Sequence, residues 1–366
     1  MKKLRRAKNR FKGFTVGMDI HKKFIEYVIL DQRGNEVSDG RIGANWEEIE
    51  RLLNEWLKKG AVQVAFEASG SCYWVFDRLV EKLGREKVVV AHAGKVKVIA
   101  ESGEKSDEND AWWLAYLQWD RRLPRAYLPE GKLRELRIAG REYRYVTEQR
   151  ADLLRRIRSL MMQRGVRLPK QWWTSKVKRM VVREEILKLR GTLRRAVQKL
   201  RRQILSLGKD RKYWEKVLKQ LNKELPDVEV IQAGMPGLKK ITATIAYGEL
   251  GDPRRFRSAK AYAKATGLTP QNRSSGGKKQ RGRITKEGSV HARWAFTRAV
   301  VACLRCKKGA GVVLGDWVRH RMRNKPKKMV LVAAARKLAE GVWRLFQYGE
   351  VFDLERAFPR PRRRAA

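Results

Sequence analysis

Short apolar runs alternate with amphipathic stretches over the first third of the chain. The β-branched and aromatic runs at 14–20, 24–30, 61–69 and 87–93, with a shorter one at 36–42, are typical of buried strands. Residues 46–57 and 73–83 have helical spacing, and another helix is predicted to begin after Ser106 as its N-cap. The order β-β-β-α-β-α-β-α predicts an α/β sheet domain over residues 14–129.

Long helices replace strands in the rest of the chain. Residues 130–225 carry apolar residues at three- and four-residue steps in Arg/Lys-rich surroundings, which predicts a helical region with an antiparallel or intersubunit coiled coil. Residues 226–353 predict a mainly α domain broken by Gly-rich loops. A basic arm (1–13) precedes these domains, and a basic tail predicted to be disordered (354–366) follows them.

The net charge differs sharply between the first third of the chain and the rest. Lys and Arg number 85 against 39 Asp and Glu, a formal net charge of +46. Residues 1–130 hold 24 of these cations and 20 of the acids, so almost the whole excess lies beyond residue 130. Such a surface would repel itself unless a polyanion neutralised it, which predicts nucleic acid as the partner.

The remaining composition argues against a membrane protein, a secreted protein and a disulfide-bonded protein. No apolar run is long enough to span a membrane, and the basic N-terminus lacks the apolar stretch of a signal peptide. Three cysteines (Cys72, Cys303, Cys306) make no disulfide framework, which predicts a cytoplasmic protein. Two buried helix cysteines are favoured over zinc for the C-x-x-C pair, because no second pair exists.

Four acids stand where metal ligands would be useful. Asp19 lies inside the first strand, Glu67 ends a later strand, and Asp107 and Asp110 begin a helix on one face. Clustered carboxylates repel one another unless divalent cations hold them, and two Mg²⁺ ions bound this way can cut a phosphodiester. The alternative is that these acids only cap helices and turns.

A Gly-rich, cationic segment carries two hydroxyls, Ser274 and Ser275. Its glycines, Gly276 and Gly277, would let a phosphate approach the backbone. Its predicted phosphate contacts are Arg273, Lys278, Lys279, Arg281, Arg283 and Lys286. A serine here could attack phosphorus, or the segment could bind phosphate without chemistry; composition leaves both open.

Other contacts are predicted outside this segment. MPGLKK begins a helix-hairpin-helix element or a simple helix, with Lys239 and Lys240 placed to meet a phosphate. Trp172 and Trp173 stand among lysines and are predicted to stack on bases. Trp112 and Trp113 lie at helical spacing, which favours a core position.

The acidic blocks GMDIHKKFIEYVILD, FEASGSCYW and KSDENDAWWLA resemble those of a RuvC-like, RNase H-type domain. From Phe14 to about Asp353 the chain resembles the DEDD transposases of bridge-RNA-guided insertion sequences. The resemblance implies metal ligands at Asp19, Glu67, Asp107 and Asp110, with Mg²⁺ (or Mn²⁺) as cofactor. The family more often has Gly-Ile-Gly where this chain has Gly237-Leu238-Lys239.

The resemblance also implies a mechanism and partners. Ser275, or else Ser274, would join a DNA end covalently, and another subunit of a dimer or tetramer would complete the pocket. The expected partners are donor and target DNA and a structured guide RNA. Two alternatives stay open: a Holliday-junction-type endonuclease using only the carboxylates, and a non-catalytic nucleic-acid-packaging protein.

Overall fold

The computed structural model describes residues 11–70, 72–100, 107–169, 171–275 and 278–359. Within these ranges the side chains of residues 97–100, 107–109, 176, 272–275 and 278–283 are not described. Contacts divide the chain into two compact units, Met1–Leu128 and Pro129–Ala366. The predicted arm residues 1–10, the Ser106 cap, Gly276, Gly277 and residues 360–366 of the predicted tail lie outside the described residues. The tail was predicted to be disordered from residue 354, which is wrong for its first part, because Leu354–Ala357 is helical and Phe358 is buried in the core.

The first unit is a mixed sheet with helices packed on it. Its elements are β1 (Phe14–Ile20), β2 (Phe24–Leu30), β3 (Glu36–Gly43), α1 (Trp46–Lys59), β4 (Val62–Glu67), α2 (Cys72–Leu83), β5 (Val88–Ala91), α3 (Ala93–Ala100) and α4 (Asp107–Trp119). The strand order is β3-β2-β1-β4-β5, with β1 and β4 parallel and β2 antiparallel to both neighbours. The predicted α/β sheet is confirmed, and α3 is an element that the pattern did not predict.

Each face of this sheet has its own apolar core, because successive strand residues point to opposite sides. Val16, Met18, Val64 and Phe66 pack with the apolar stripes of α1 and α2 on one side. The other side packs against α4 through smaller groups, which include Ala65. Helix α1 buries Ile49, Leu52, Leu53 and Trp56, as its helical spacing predicted.

The second unit begins with two long helices. These are α5 (Gly131–Met162) and α7 (Gly191–Asn222), with the shorter α6 (Lys176–Leu187) between them in sequence. The start of α5 shares a core with the end of α7 at Leu218, whereas Ile157 near the end of α5 packs against Val197 near the start of α7. The two helices are therefore antiparallel neighbours within one chain.

The remaining elements form a largely helical body around a single core. They are α8 (Pro226–Gly234), α9 (Lys240–Leu250), α10 (Ala259–Ala265), β6 (Pro270–Ser275), β7 (Lys278–Ile284), α11 (Val290–Cys303), α12 (Ala310–Arg321), α13 (Lys327–Tyr348) and α14 (Leu354–Ala357). This core includes residues from α5 and α7, so the long helices are rooted in the body. None of the described helices is long and apolar enough to cross a membrane.

Candidate functional site

Asp19 and Glu67 stand side by side at one edge of the sheet. The parallel register of β1 and β4 pairs Met18 with Phe66, so the next residue on each strand is the predicted metal ligand. Alternation places Asp19 on the same face as Thr15 and Gly17. The hydrogen bond from Gln63 Nε2 to Thr15 Oγ1, 2.8 Å long, lies on this face at the opposite end of the strands.

Helix α4 covers the same face and runs antiparallel to β1. A Cβ placed on Gly17 would lie 2.1 Å from the carbonyl oxygen of Ala111, so the helix backbone rests directly on the strand. Toward its C-terminal end, Gln118 Nε2 donates to Gln63 Oε1 over 2.9 Å. The first turn of α4, which holds Asp107 and Asp110, therefore lies toward the sheet edge that carries Asp19 and Glu67.

His21 belongs to this edge and was missed by the sequence reasoning. Its Nε2 lies 2.9 Å from Asp19 Oδ2, with side chains 34% and 17% exposed. The imidazole ring stacks on Phe24 at a centroid distance of 4.6 Å. The two-residue spacing from Asp19 was the available signal, because alternate residues of an extended segment point the same way.

The donor set at this edge suits a hard divalent cation. Asp19, Glu67 and Asp110 offer carboxylate oxygens, which Mg²⁺ prefers. No group of three or more His, Cys, Asp or Glu side chains among the described residues is close enough to hold a metal ion as it stands. Asp107 contributes its backbone to the first turn of α4, and its side chain lies outside the described residues.

The predicted serine loop is a β-hairpin, which corrects the expectation of an irregular segment. Strands β6 and β7 pair antiparallel, with Ser275 opposite Lys278 and Ser274 opposite Lys279. Ser274 and Ser275 therefore end β6, and two residues separate Ser275 from the start of β7. Strand pairing satisfies the backbone groups of a segment that has too few apolar residues to show a strand pattern.

The base of the hairpin is closely packed. Thr285 N donates to Thr269 O over 2.9 Å beyond the last strand pair. Gly288 has φ +120°, and a Cβ there would lie 2.2 Å from the carbonyl oxygen of Ala265. The Arg293 guanidinium donates to the carbonyl oxygen of Thr266 at 3.1 Å. These contacts fix the point from which the serine hairpin leaves the helical body.

Glu249 connects this base to the rest of the unit. Its side chain is 3% exposed and accepts from Arg141 Nε at 2.7 Å and from Ser289 Oγ at 2.9 Å. Ser289 also caps α11. Burial alone would raise the pKa of Glu249, but hydrogen bonding and charge from Arg141, with the charge of Arg137, hold it below its ordinary value. A buried carboxylate thus joins α5, α9 and α11.

A tight turn separates α8 from α9, as a helix-hairpin-helix element requires. Gly237 has φ +75°, and a Cβ there would lie 2.5 Å from Cys303 Sγ, so only glycine fits. Lys239 and Lys240 are exposed at the start of α9. Phosphate binding by these two lysines stays a prediction.

The predictions for the two tryptophan pairs have different outcomes. Trp172 is 5% exposed and packs in the small core between α5, α6 and α7, with Trp173 partly buried against it. A ring that is 5% exposed cannot stack on a base, so the predicted base stacking is wrong for Trp172, whereas for the partly buried Trp173 it stays a prediction. Trp112 and Trp113 are half-buried and pack against the cores next to α4, as their spacing favoured.

The cysteine prediction holds in part. Cys303 is buried at the end of α11, where burial raises the pKa of its thiol to about 12. Cys306 lies beyond the helix and is half-buried rather than buried. A high thiol pKa opposes the thiolate form that zinc and disulfide chemistry need.

Two family models match the chain. One, for a DEDD transposase domain of the IS110 type and described as "Transposase", matches residues 16–164 and so includes the sheet edge. The other, described as "Transposase IS116/IS110/IS902 family", matches residues 232–311 and includes the serine hairpin. Together they cover more than half of the chain.

Individual relatives agree with the two family models. The chain is 24% identical over 96% of its length to the transposase for insertion sequence element IS1111A of Coxiella burnetii, covering 94% of that protein. It is 28% identical over 38% of its length to the transposase for insertion sequence element IS1328 of Yersinia enterocolitica, covering 42% of that protein. A probable family 20 transposase of Pseudomonas aeruginosa is 30% identical over 30% of the chain, and the match spans 32% of that relative. With both domain models in order and one relative aligned along nearly its full length, the chain belongs to the IS110/IS116 family of transposases.

Proposed function

We propose that this chain is a DNA transposase that cuts and rejoins strands with a metal-binding DEDD site and a serine nucleophile. The observation that carries the proposal is the adjacency of Asp19 and Glu67 beneath the first turn of α4. The three elements that carry Asp19, Glu67 and Asp110 meet at this edge, although Asp19 and Asp110 are 91 residues apart in the chain. Capping alone does not account for this convergence.

The carboxylates would bind the metal through Asp19, Glu67, Asp107 and Asp110. When bound, Mg²⁺ supplies charge neutralisation and activation of an oxygen nucleophile. His21 contacts Asp19 and would fix the orientation of its carboxylate, because a hydrogen-bonded ligand has fewer orientations to lose on binding. Mn²⁺ has the same preference for oxygen donors.

The serine hairpin would supply the second half of the chemistry. Ser275 Oγ would give up its proton and attack phosphorus, the new Oγ–P bond would replace the P–O bond of the leaving strand, and the leaving oxygen would take up a proton. The cations of the hairpin and its base would neutralise the phosphate as negative charge develops on it. They are Arg273, Lys278, Lys279, Arg281, Arg283 and Lys286. Ser274 is the alternative nucleophile. The metal site and the serine would come from different subunits of a dimer or tetramer.

A structured guide RNA is proposed as the partner that selects DNA sites. Its support is the cationic excess, which lies almost entirely beyond residue 130, together with the family resemblance. Sequencing of nucleic acid that co-purifies from the host tests this directly. One discrete structured RNA is expected, and a random mixture of fragments would contradict guidance.

Paired substitutions test the two halves. Asp19→Asn should abolish Mn²⁺ binding and strand transfer, because one metal ligand and one negative charge are lost. Asp39→Asn is the matched control, since Asp39 is an exposed carboxylate on β3 of the same sheet. Retained strand transfer in Asp19→Asn would refute the metal mechanism.

The serine variants separate a transposase from a metal-only nuclease. Ser275→Ala, or else Ser274→Ala, should abolish the covalent protein–DNA adduct and leave Mn²⁺ binding unchanged. If both variants recombine DNA at the wild-type rate, the serine mechanism is wrong and a carboxylate-only endonuclease explains the site. If the wild-type chain binds nucleic acid without cutting or joining strands, and Asp19→Asn and both serine variants bind it equally well, the chain is a packaging protein.

A further inference from the structure

The seam between α5 and α7 contains arginines where apolar side chains are expected. On α5, residues seven apart read Leu136, Tyr143, Arg150 and Ile157; on α7 the same spacing gives Val197, Ile204, Arg211 and Leu218. The other members of both series are buried. The antiparallel packing places the two arginines at neighbouring levels, as the contact from Arg211 Nη1 to Tyr143 Oη shows.

Arg150 lies in this seam, and no acidic side chain among the described residues forms an ion pair with it. Its side chain lies against α7, where a Cβ on Gly208 would be 3.8 Å from its Nε. That Nε is buried and has no hydrogen-bond partner within the described part of the chain. The hydroxyl of Thr147, one turn earlier on α5, is likewise buried and unpartnered among the described residues.

Two further guanidinium groups add positive charge at the same place. Burial lowers the pKa of Arg150, and the charges of Arg211 and of Arg179 on α6 lower it further. Arg179 itself donates one Nη1 to the carbonyl oxygen of Trp173 at 2.9 Å, which anchors it beside the seam. Charges from three helices therefore act on one another in this seam, an arrangement that costs free energy until an anion joins them.

We infer that Arg150, Arg179 and Arg211 form a phosphate site that binds the backbone of the nucleic acid handled by this transposase. Guanidinium groups match phosphate oxygens in geometry, and the unused Nε of Arg150 and hydroxyl of Thr147 are further donors. A carboxylate in the seam would have neutralised these arginines without a bound ligand. The site rests on the proposed function for the identity of its ligand, DNA or RNA.

Arg150→Met tests the site in the full chain. Methionine has similar length and favours a helix, so the seam keeps its packing and loses one charge. Arg202→Met is the matched control, because Arg202 is an exposed arginine on α7 and its loss lowers the net charge equally. Arg150→Met should melt at a higher temperature than the wild type in phosphate-free buffer, since the repulsion is relieved.

Ligand binding gives the decisive measurement. Inorganic phosphate at constant ionic strength should raise the melting temperature of the wild type and of Arg202→Met, and much less that of Arg150→Met. Affinity for a single-stranded RNA or a DNA duplex should fall about tenfold or more in Arg150→Met, the usual effect of losing a charged hydrogen bond. The nucleic acid that shows the fall is the ligand.

Three results would overturn the inference. If phosphate raises the melting temperature of Arg150→Met and Arg202→Met equally, and the two variants bind RNA and DNA with equal affinity, the seam arginines only extend to solvent. Cooperative unfolding of Arg150→Met at a lower temperature than the wild type would show a structural role. If the wild-type chain binds neither RNA nor DNA, both the proposed function and this site are wrong. The first two results, in contrast, overturn the site and leave the proposed function standing.

Discussion

The close contact between α4 and β1 makes Gly17 a sensitive position for the whole site. Gly17→Ala would place a methyl carbon 2.1 Å from Ala111 O and 2.5 Å from Ala115 N. Ordinary contact begins at 3.4 Å, so the helix must move away from the strand by about 1 Å. Both clashing groups are backbone atoms, and no side-chain rotation relieves them.

Two consequences have different magnitudes. Overpacking of this kind destabilises a protein by about 1–3 kcal/mol, so the sheet unit stays folded. A displacement of about 1 Å at reacting groups can lower the rate about a hundredfold. Gly17→Ala should therefore reduce strand cleavage far more than its effect on stability explains, because Asp107 and Asp110 move away from Asp19 and Glu67.

Calorimetric titration with Mn²⁺ and a strand-cleavage assay on the same preparation check this expectation. Gly70→Ala is the matched control, since a Cβ on Gly70 meets nothing within 4 Å, although the residue follows the same strand as Glu67. Wild-type Mn²⁺ affinity in a folded Gly17→Ala variant would refute the claim that the spacing of α4 and β1 sets the site.

Three further predictions concern the second unit. The ordinary pKa of Glu249 is 4.5 and its pKa in the folded protein is lower, so its carboxylate stabilises the fold above pH 4.5 and loses this effect as the pH falls through the lowered pKa. Acid unfolding of Glu249→Gln should lack this pH dependence, and an acid-unfolding profile identical to that of the wild type would contradict the prediction. Trp172→Ala should cost about 3–5 kcal/mol in chemical denaturation, whereas a variant of unchanged stability would show that the ring is not part of a core. Iodoacetamide at pH 8 should label Cys306 and not Cys303, whose pKa of about 12 keeps it protonated, and mass spectrometry of equal labelling would disprove this.

Local pattern was sufficient for the sheet and for the positions of Asp19 and Glu67 on its strands. Strand periodicity located Asp19 and Glu67, and parallel neighbours necessarily bring the ends of their strands together. Helix α3 was missed because it follows β5 after a single residue, His92, and reads in the sequence as a continuation of the strand.

The remaining errors come from contacts between distant residues. Lysines surround Trp172 in the sequence, but its burial is decided by α5 and α7, whose residues in the same core include Leu154, 18 residues before it, and Ile204, 32 residues after it. Glu249 gave no signal, since its partner Arg141 lies 108 residues earlier in the chain. The serine hairpin was read as a loop because its strands are held by backbone pairing and contain almost no apolar residues.

The polar interval around Arg150 divides the long helix pair into two apolar clusters. Leu136 and Leu218 belong to the core of the helical body, whereas Ile157 and Val197 belong to a separate cluster with α6. Elements that share no continuous core can open separately, each with its own free energy. The distal end of the helix pair therefore constitutes its own cooperative unit, and its amide hydrogens should exchange with deuterium well before those of the body.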